Sequence, residues 1–332
     1  MARDHGFHSA RITRIVRETA DTRTFVLAVP PSSRSLFGYR AGQFLTFRVC
    51  GTLRSYSMSS SPDTDDELMT TVKRVPGGLV SNWMHDHLAP GDVVEVTRPA
   101  GVFCLRDSPA PLVALGAGSG ITPILSLVKS ALATTGRRVR VLTAHRDASA
   151  VIFGEALDGL AGRYPGRLEV AGHLDIDGGL VTESRIRDFA GGDTGADFYL
   201  CGPAPFMDLA QRALVAHGAG PGQIFTERFE PAAGESPGAP REGTVSIVLA
   251  GRTHTVPQRS GETLLESARR AGLAPPFSCE AGNCATCLAQ VTDGEAKMRV
   301  NNALDEDEVA AGLVLTCQGE PVTPRVTVVY ED

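Results

Sequence analysis

The sequence contains the segment Cys279-Glu280-Ala281-Gly282-Asn283-Cys284-Ala285-Thr286-Cys287, in which the gaps between cysteines are four and then two residues. A fourth cysteine, Cys317, follows after 29 intervening residues. The chain has 332 residues and seven cysteines, and the other three, Cys50, Cys104 and Cys201, are isolated. An odd number of cysteines argues against a disulfide framework, whereas a local cluster of four indicates a metal site.

The gaps between the clustered cysteines distinguish between two kinds of metal site. Zinc ribbons usually carry two short Cys-x2-Cys pairs, and only one, Cys284 to Cys287, occurs here. The observed spacing is instead that of plant-type ligands of a 2Fe–2S cluster. We expect the loop 280–283 to wrap the cluster with its backbone amides. The predicted ligands are Cys279, Cys284, Cys287 and Cys317.

The residues before the cysteine segment predict a small fold of strands and one helix. Strands are expected at Val245–Leu249 and Thr253–Val256, joined by a tight turn. Apolar residues from Leu264 to Ala271 have helical spacing, and Gly272 ends that helix. With the cysteine loop following, residues 243–332 resemble a plant-type ferredoxin domain. The resemblance implies a β-grasp fold for this segment.

The net charge of the chain bears on its partners. Lys and Arg number 32 and Asp and Glu 38, which gives −6, so we expect no general nucleic-acid binding. Residues 243–332 hold 7 basic and 12 acidic residues, a net charge of −5. The run Asp305–Glu308 is best explained as the solvated start of a helix. Its alternative role is in a docking face for a basic partner.

Residues 231–242 are rich in Pro, Gly and Ala without any periodicity, and they predict a linker before the ferredoxin-like domain. The longest uncharged run, Ser108–Val128, contains three prolines and three glycines. A strand, a glycine turn and a helix explain this run better than a membrane span does. The first residues lack an apolar targeting segment, so we expect a cytoplasmic protein with no membrane association.

The middle of the chain, residues 108–230, alternates strands and helices. The strand Leu112–Leu115 leads into Gly116-Ala117-Gly118-Ser119-Gly120 and then a helix over Ile121–Leu132. This pattern predicts a doubly wound α/β domain whose glycine loop presents N–H groups to a pyrophosphate. Ile121 occupies the place of the third glycine of the strict fingerprint, and a tight strand–helix turn is the alternative explanation of the loop. A second motif, Cys201-Gly202-Pro203, follows a later strand.

Residues 1–107 contain short strands separated by turns, the pattern of a small antiparallel β-barrel. Within them stand two further motifs, Arg54-Ser55-Tyr56-Ser57 and Gly77-Gly78-Leu79-Val80-Ser81. Taken in order with the glycine loop and Cys201-Gly202-Pro203, these motifs resemble the ferredoxin–NADP reductase superfamily. The resemblance implies a multidomain chain with an FAD-binding barrel, an NAD(P)H-binding α/β domain and a 2Fe–2S ferredoxin domain.

The resemblance also implies roles for individual residues. Arg54 would pair with the FAD pyrophosphate beside Ser55, Tyr56 would lie against the isoalloxazine, and Ser57 would bond near flavin N5. The flavin phosphates would be held by Gly77, Gly78, Leu79 and Ser81. The nucleotide phosphates would be carried by Gly116, Gly118, Ser119, Gly120, Thr122 and Pro123. The nicotinamide would be flanked by Cys201, Gly202 and Pro203.

Two residues at the end of the middle domain have a counterpart in the superfamily, which often closes with Glu-x-aromatic. Glu227 would take the polar role in the active site, and Phe229 would cover the flavin. The alternative is that Phe225 and Phe229 are both core residues of the last strand. Cys201, likewise, is either a small apolar strand residue or a group beside the nicotinamide.

The choice of nucleotide depends on Ala144-His145-Arg146-Asp147-Ala148-Ser149. Arg146 and Ser149 would hold a 2′-phosphate, whereas Asp147 would oppose it. We expect NADH, with NADPH possible, because an acid near the ribose repels phosphate.

The order of the three modules resembles reductase components of bacterial multicomponent oxygenases that hydroxylate rings and steroids. The resemblance implies a monomeric NAD(P)H-dependent oxidoreductase whose partner is a terminal oxygenase, preferably a Rieske non-haem iron enzyme, alternatively a diiron one. Glu280 and Ala285 depart from the family, where a basic residue and glycine are frequent. Two other classes remain open: a stand-alone flavin reductase or oxidase, and a zinc-bearing interaction protein.

Overall fold

The computed structural model describes residues 7–220, 222–229, 240–277, 279–280, 282 and 284–330. These residues form two compact units. The larger consists of 7–52 and 56–229, and the second of 240–330 grouped with 53–55. Of the predicted linker, 231–239 lies outside the described residues. A strand already begins at Pro240, so the last three residues of the predicted linker belong to that strand.

The N-terminal part of the larger unit is a six-stranded antiparallel sheet with one helix. The strand order is β4-β3-β6-β1-β2-β5. An isolated antiparallel bridge between Met58 and Thr70 links the chain just after β4 to β5, which joins the two edges of the sheet. The elements are β1 (His8–Arg17), β2 (Thr22–Ala28), β3 (Phe44–Val49), β4 (Thr52–Ser57), β5 (Leu68–Lys73), α1 (Leu79–His87) and β6 (Val93–Val96).

Alternation of side chains explains why this sheet closes around a core. In β6 the burial pattern alternates exposed and buried, so Val94 and Val96 point inward. Phe25 and Phe47, from β2 and β3, are entirely buried in the same cluster. The predicted antiparallel barrel is therefore confirmed.

The rest of the larger unit is a five-stranded parallel sheet of order β11-β10-β7-β8-β9. Its elements are β7 (Leu112–Ala117), α2 (Ile121–Thr134), β8 (Val139–His145), α3 (Gly154–Arg163), β9 (Leu168–Leu174), α4 (Asp175–Gly178), α5 (Glu183–Ala190), β10 (Asp197–Cys201), α6 (Ala204–His217) and β11 (Ile224–Glu227). One face packs on α2 and α3, and the other packs on α5 and α6. This is the doubly wound arrangement that the alternating strands and helices predict.

The second unit carries a mixed sheet of order β13-β12-β18-β14-β16 and a small sheet of β15 and β17. The elements are β12 (Pro240–Leu249), β13 (Arg252–Arg259), α7 (Leu264–Arg270), β14 (Leu288–Asp293), β15 (Ala296–Met298), α8 (Glu306–Ala310), β16 (Leu313–Leu315), β17 (Gly319–Pro321) and β18 (Arg325–Val329). Helix α7 begins with a capping box, in which Thr263 and Glu266 satisfy each other's backbone N–H groups. The predicted hairpin and helix before the cysteine loop are confirmed.

Within the described ranges, no helix is both long enough and apolar enough to cross a membrane.

Candidate functional site

The carboxyl edge of the parallel sheet brings three predicted site residues into line. In the register of the strands, Cys201 at the end of β10 lies opposite Gly116 of β7 on one side. On its other side Cys201 lies opposite Glu227, the last residue of β11. Ligands of open α/β sheets bind outside this edge of the strands. The two predicted motifs are therefore adjacent in space although about 85 residues apart in sequence.

The glycine loop approaches the end of β10 so closely that one position has no room for a side chain. A Cβ atom on Gly120 would lie 2.1 Å from the carbonyl oxygen of Cys201 and 2.6 Å from the amide nitrogen of Gly202. Gly120 itself has ordinary helical dihedral angles, φ −62° and ψ −15°. Space, not backbone conformation, therefore requires glycine there. Gly118 differs, because its φ of +54° favours glycine by conformation.

A hydrogen bond joins the barrel to the end of the parallel sheet. The hydroxyl of Ser57 donates to Oε1 of Glu227 over 2.9 Å. Oε2 of Glu227 is buried and has no hydrogen-bond partner among the described residues. Burial raises the pKa of Glu227 to about 8, although the hydrogen bond from Ser57 lowers it. The carboxyl group is thus poised to exchange a proton near neutral pH.

Cys201 is entirely buried next to this carboxyl group. Burial raises the pKa of the Cys201 thiol well above its usual value, and the proximity of Glu227 raises it further. A thiol in this environment stays protonated and behaves as a small apolar group. The environment therefore favours a packing role for Cys201 over nucleophilic chemistry.

The predicted flavin motif lies on β4. Tyr56 packs edge-on against Phe47 with ring centroids 5.7 Å apart, which fixes the plane of its ring. The backbone carbonyl of Ser57 accepts a hydrogen bond from the Thr70 hydroxyl over 2.9 Å. Arg54 is exposed, and its Nη1 donates to the neighbouring carbonyl of Leu53 over 2.7 Å. Ser55, between them, is half-buried.

The second predicted flavin motif forms the turn into α1. Gly77 has a φ of +71°, which favours glycine. Gly78 is the N-cap, and Leu79 is 58% exposed at the first helical position. The buried hydroxyl of Ser81 accepts a hydrogen bond from the backbone N–H of Val75 over 3.1 Å. Within the residues that the structure describes, no side-chain cap hydrogen bond is made at the N-cap of α1, and backbone N–H groups at such a helix start favour anions.

The remaining predicted residues differ in their exposure. Thr122 is buried, and its hydroxyl oxygen has no hydrogen-bond partner among the described residues, while Pro123 is buried beside it. Phe225 stacks on Tyr199 at 4.8 Å between ring centroids, so it is a core residue. Phe229 is 46% exposed. The alternative of a core role therefore holds for Phe225 and not for Phe229.

The segment predicted to contact the ribose of the nucleotide, Ala144–Ser149, makes hydrogen bonds and an ion pair that the sequence did not predict. The carboxylate of Asp147 accepts hydrogen bonds from the backbone N–H and the hydroxyl of Ser149 and from the backbone N–H of Ala150. The side chains of Asp147 and Ser149 therefore stabilise the turn in which they lie. Arg146 instead lies 3.5 Å from Asp21, which follows β1. Sequence reasoning missed Asp21, because an acid in a turn between strands carries no motif. It also gave no role to Lys73, whose Nζ lies 3.9 Å from a Cβ built on Gly118.

The four clustered cysteines approach one another as two pairs. The thiols of Cys279 and Cys284 interact, and so do those of Cys287 and Cys317. Strand pairing explains the second pair: Leu288 of β14 lies opposite Leu315 of β16, which brings the residues just outside both strands together. In the described part of the chain no three Cys, His, Asp or Glu side chains converge on one ion.

Two thiol pairs fit a binuclear cluster, in which each iron takes two of the four thiolates. In this protein, hydrogen bonding to Cys279 and then burial raise the pKa of Cys284 well above its usual value. A metal centre must therefore displace protons when it binds. The amide of Gly282 bonds the sulfur of Cys317. That contact is the kind expected of the loop, whose Ala281 and Asn283 lie outside the described residues.

The two departures from the family have physical explanations. Ala285 has a φ of +54°, a conformation in which glycine is less strained. Glu280 also has a positive φ, and both its carboxylate oxygens accept from Arg269 over 2.8 Å. The charge of Glu280 is thus neutralised by a neighbouring helix residue.

The acidic run behaves as the start of a helix. Asp305 is the N-cap of α8 and forms a capping box with Glu308, which is buried. This confirms that the run starts a helix, with Glu306, Asp307 and Glu308 in its first turn, but Glu308 is buried and not solvated.

Three family models match the chain in succession. They are described as an oxidoreductase FAD-binding domain over residues 9–104, an oxidoreductase NAD-binding domain over 114–212 and a 2Fe-2S iron-sulfur cluster binding domain over 247–322. These matches confirm the cofactor classes and the order of modules that the motifs predict.

Similar proteins span the whole chain. A 3-ketosteroid-9-alpha-monooxygenase ferredoxin reductase component of Rhodococcus rhodochrous is 38% identical over 98% of this chain and 98% of that protein. One component of the 1,2-phenylacetyl-CoA epoxidase of Escherichia coli is 31% identical, again over 98% of both. The structure of phthalate dioxygenase reductase aligns with a TM-score of 0.65 and 26% identity over 98% of both chains.

Gly120→Ala tests the close approach at the sheet edge. The added methyl would collide with the backbone at Cys201, so we expect the free energy of unfolding to fall by about 2 kcal/mol and nucleotide binding to weaken. Gly136→Ala is the matched control, since a Cβ there meets none of the described atoms within 4 Å. Urea denaturation and nucleotide titration measure both effects. Equal behaviour of the two variants would contradict the account.

Glu227→Gln tests the raised pKa of the buried carboxyl group. The folded wild type keeps this proton up to about pH 8, whereas the unfolded chain releases it near its ordinary value of 4.5. Because the unfolded state binds fewer protons in that window, wild-type stability should fall relative to the variant as pH rises. We expect a relative change of about 3 kcal/mol between about pH 5 and 8, measured by urea denaturation. A difference independent of pH would refute the assignment.

Proposed function

Since the chain belongs to the family of reductase components of oxygenase systems that join FAD-binding, NAD-binding and 2Fe–2S domains, we propose that it passes electrons from NADH to a terminal oxygenase. The observation that carries this proposal is the alignment of Gly116, Cys201 and Glu227 at one sheet edge, with Ser57 of the barrel bonded to Glu227. When bound, FAD takes the two electrons of a hydride and releases them singly, and the 2Fe–2S cluster carries one at a time.

The larger unit would hold both the donor and the flavin. We assign the phosphates of the nucleotide to the glycine loop and the start of α2, where backbone N–H groups and a helix N-terminus favour anions. In this assignment the residues that contact the nucleotide are Gly116, Gly118, Ser119, Gly120, Thr122, Pro123, Arg146, Cys201, Gly202 and Pro203. Because Gly120 packs closely against the backbone of Cys201, the glycine loop and the Cys201-Gly202-Pro203 motif lie side by side.

The flavin would lie along β4 and the start of α1. Arg54 offers a planar fork of donors for a pyrophosphate, and its side chain is exposed. Ser55, Tyr56 and Ser57 continue along the same strand, and Gly77, Gly78, Leu79 and Ser81 form the turn into α1. Phe229, which is half-exposed, is free to cover an aromatic ring.

Glu227 and Ser57 are the residues that we propose donate and accept protons. A carboxyl group with a pKa near 8 stays neutral at physiological pH and can give or take a proton through the Ser57 hydroxyl. The burial that raises this pKa also excludes water from the place where a hydride would move. Cys201 contributes a small, uncharged and fully buried side chain next to Glu227.

The second unit would hold the cluster on Cys279, Cys284, Cys287 and Cys317. The two thiol pairs are the observation that favours two irons over one zinc. We propose domain bounds of 1–107 for the FAD-binding barrel, 108–230 for the nucleotide domain, 231–239 for the linker and 240–332 for the ferredoxin domain, since β12 begins at Pro240.

The terminal acceptor is proposed to be a Rieske non-haem iron monooxygenase, with a diiron oxygenase as the alternative. The relative named as a monooxygenase component is 38% identical, against 31% for the relative named as part of an epoxidase. Reconstitution with an oxygenase of each class would decide between them. We further propose a monomer that works in the cytoplasm, where nicotinamide nucleotides are available.

Cys287→Ser separates the two halves of the electron path. The variant should lose the 2Fe–2S absorbance and electron delivery to an oxygenase, because one ligand pair is broken, while NADH still bleaches the flavin. Cys50→Ser is the matched control, since Cys50 is an exposed, isolated cysteine. Anaerobic absorbance spectroscopy and coupled turnover measure the outcome. Undiminished delivery to the oxygenase by Cys287→Ser would refute the assigned path.

A further inference from the structure

Asp21 lies between two cations that come from different parts of the larger unit. Its Oδ2 is 3.5 Å from Nη2 of Arg146, the residue directly after β8. The same oxygen is 3.8 Å from Nζ of Lys73, the last residue of β5. One carboxylate oxygen of the barrel therefore faces a cation of the barrel and a cation of the nucleotide-binding sheet.

The two oxygens of Asp21 have separate partners. Oδ1 accepts from the hydroxyls of Thr19 over 2.8 Å and Thr22 over 3.1 Å, which fixes the turn between β1 and β2. Oδ2 is left for the two cations. Partial burial opposes ionisation, but the Thr19 hydrogen bond and the charge of Lys73 outweigh it and lower the pKa of Asp21. Asp21 is therefore a carboxylate at neutral pH.

Arg146 and Lys73, the two cations that face Asp21, lie at the entrance of the proposed nucleotide site. In parallel α/β sheets, the residue at the end of the strand next to the glycine loop reads the 2′ position of the adenosine ribose. Here that strand is β8, which pairs with β7, and Arg146 follows it directly. Lys73 lies close to the glycine loop, with Nζ 3.9 Å from a Cβ built on Gly118.

Two other polar residues of this segment, Asp147 and Ser149, are already engaged with each other. Asp147 accepts three hydrogen bonds from its own turn, one of them from the Ser149 hydroxyl over 2.5 Å. This leaves Arg146, which is 70% exposed, as the side chain able to reach a 2′-phosphate. Asp147 is also a carboxylate beside Arg146, but it is Asp21 that contacts the guanidinium directly and so both masks it and adds negative charge at that point.

We propose that Asp21 is a specificity-determining residue, which selects NADH over NADPH by masking Arg146 and by repelling a 2′-phosphate. The inference rests on the proposed function, because it requires the nucleotide to bind at this sheet edge. A 2′-phosphate carries nearly two negative charges, so an adjacent carboxylate penalises it far more than it penalises a ribose hydroxyl. Neutralising Asp21 leaves Arg146 and Lys73 free to bind the phosphate.

The test is a comparison of dissociation constants for NAD⁺ and NADP⁺, measured by isothermal titration calorimetry on the purified full-length holoprotein. Asp21→Asn keeps an oxygen for Thr19 and Thr22 and removes the charge, and Asp21→Ser is a second neutral variant with a shorter side chain. Arg146→Ala and the double variant Asp21→Asn/Arg146→Ala complete a double-mutant cycle. Glu95→Gln is the matched control, because it removes the same charge from another 3.5 Å ion pair, with Arg48.

We expect Asp21→Asn to bind NADP⁺ about tenfold more tightly, with NAD⁺ affinity changed by less than about twofold. The gain should be clearly smaller in the double variant, where only the relief of repulsion remains, and absent from Glu95→Gln. An unchanged affinity ratio in both Asp21 variants, or a gain of undiminished size without Arg146, would overturn the inference. If the wild type binds NAD⁺ in that case, the proposed function still stands. Failure of the wild type to bind either nucleotide would overturn both.

Discussion

The close approach of the glycine loop to the end of β10 is the constraint on which the site depends. Because Gly120 has no space for a side chain, the start of α2 can lie directly against the backbone of Cys201 and Gly202. The glycine loop and the segment that begins at Cys201 are thereby held at one edge of the sheet. The register of β10 and β11 places Glu227 opposite Cys201, and the side chain of Glu227 accepts a hydrogen bond from Ser57 of the barrel. A single packing contact thus sets the relative positions of residues from three segments of the chain.

The buried carboxyl group of Glu227 links this geometry to chemistry. An unpaired buried acid is costly, and the larger unit keeps it neutral by burial instead of pairing it with a cation. By contrast, the carboxylate of Asp21 faces two cations, Lys73 and Arg146. The two acids therefore have opposite electrostatics: burial raises the pKa of Glu227, whereas the pKa of Asp21 is lowered.

The sequence predicts most of the fold because local patterns agree with tertiary packing. The glycine loop with its following helix, and the hairpin and helix before the cysteine loop, all lie where the sequence pattern predicts them. Side-chain partners across modules were not predictable. Asp147 has the position of a ribose-reading acid but caps its own turn, whereas Asp21, about 125 residues earlier, occupies that region. Such contacts depend on how a barrel turn meets a sheet edge, which no periodicity encodes.

The cysteine spacing predicts the ligand set, and pairing of β14 with β16 explains how the distant Cys317 joins Cys287. The central claim is that electrons from NADH reach a 2Fe–2S cluster on these thiols through a flavin. Its most direct test is anaerobic addition of NADH to the purified protein, followed by absorbance and electron paramagnetic resonance spectroscopy with metal analysis. The account predicts two irons per chain, bleaching of flavin and cluster bands, and the resonance of one reduced 2Fe–2S cluster. Bound zinc in place of iron, or flavin bleaching with no cluster resonance, would contradict it.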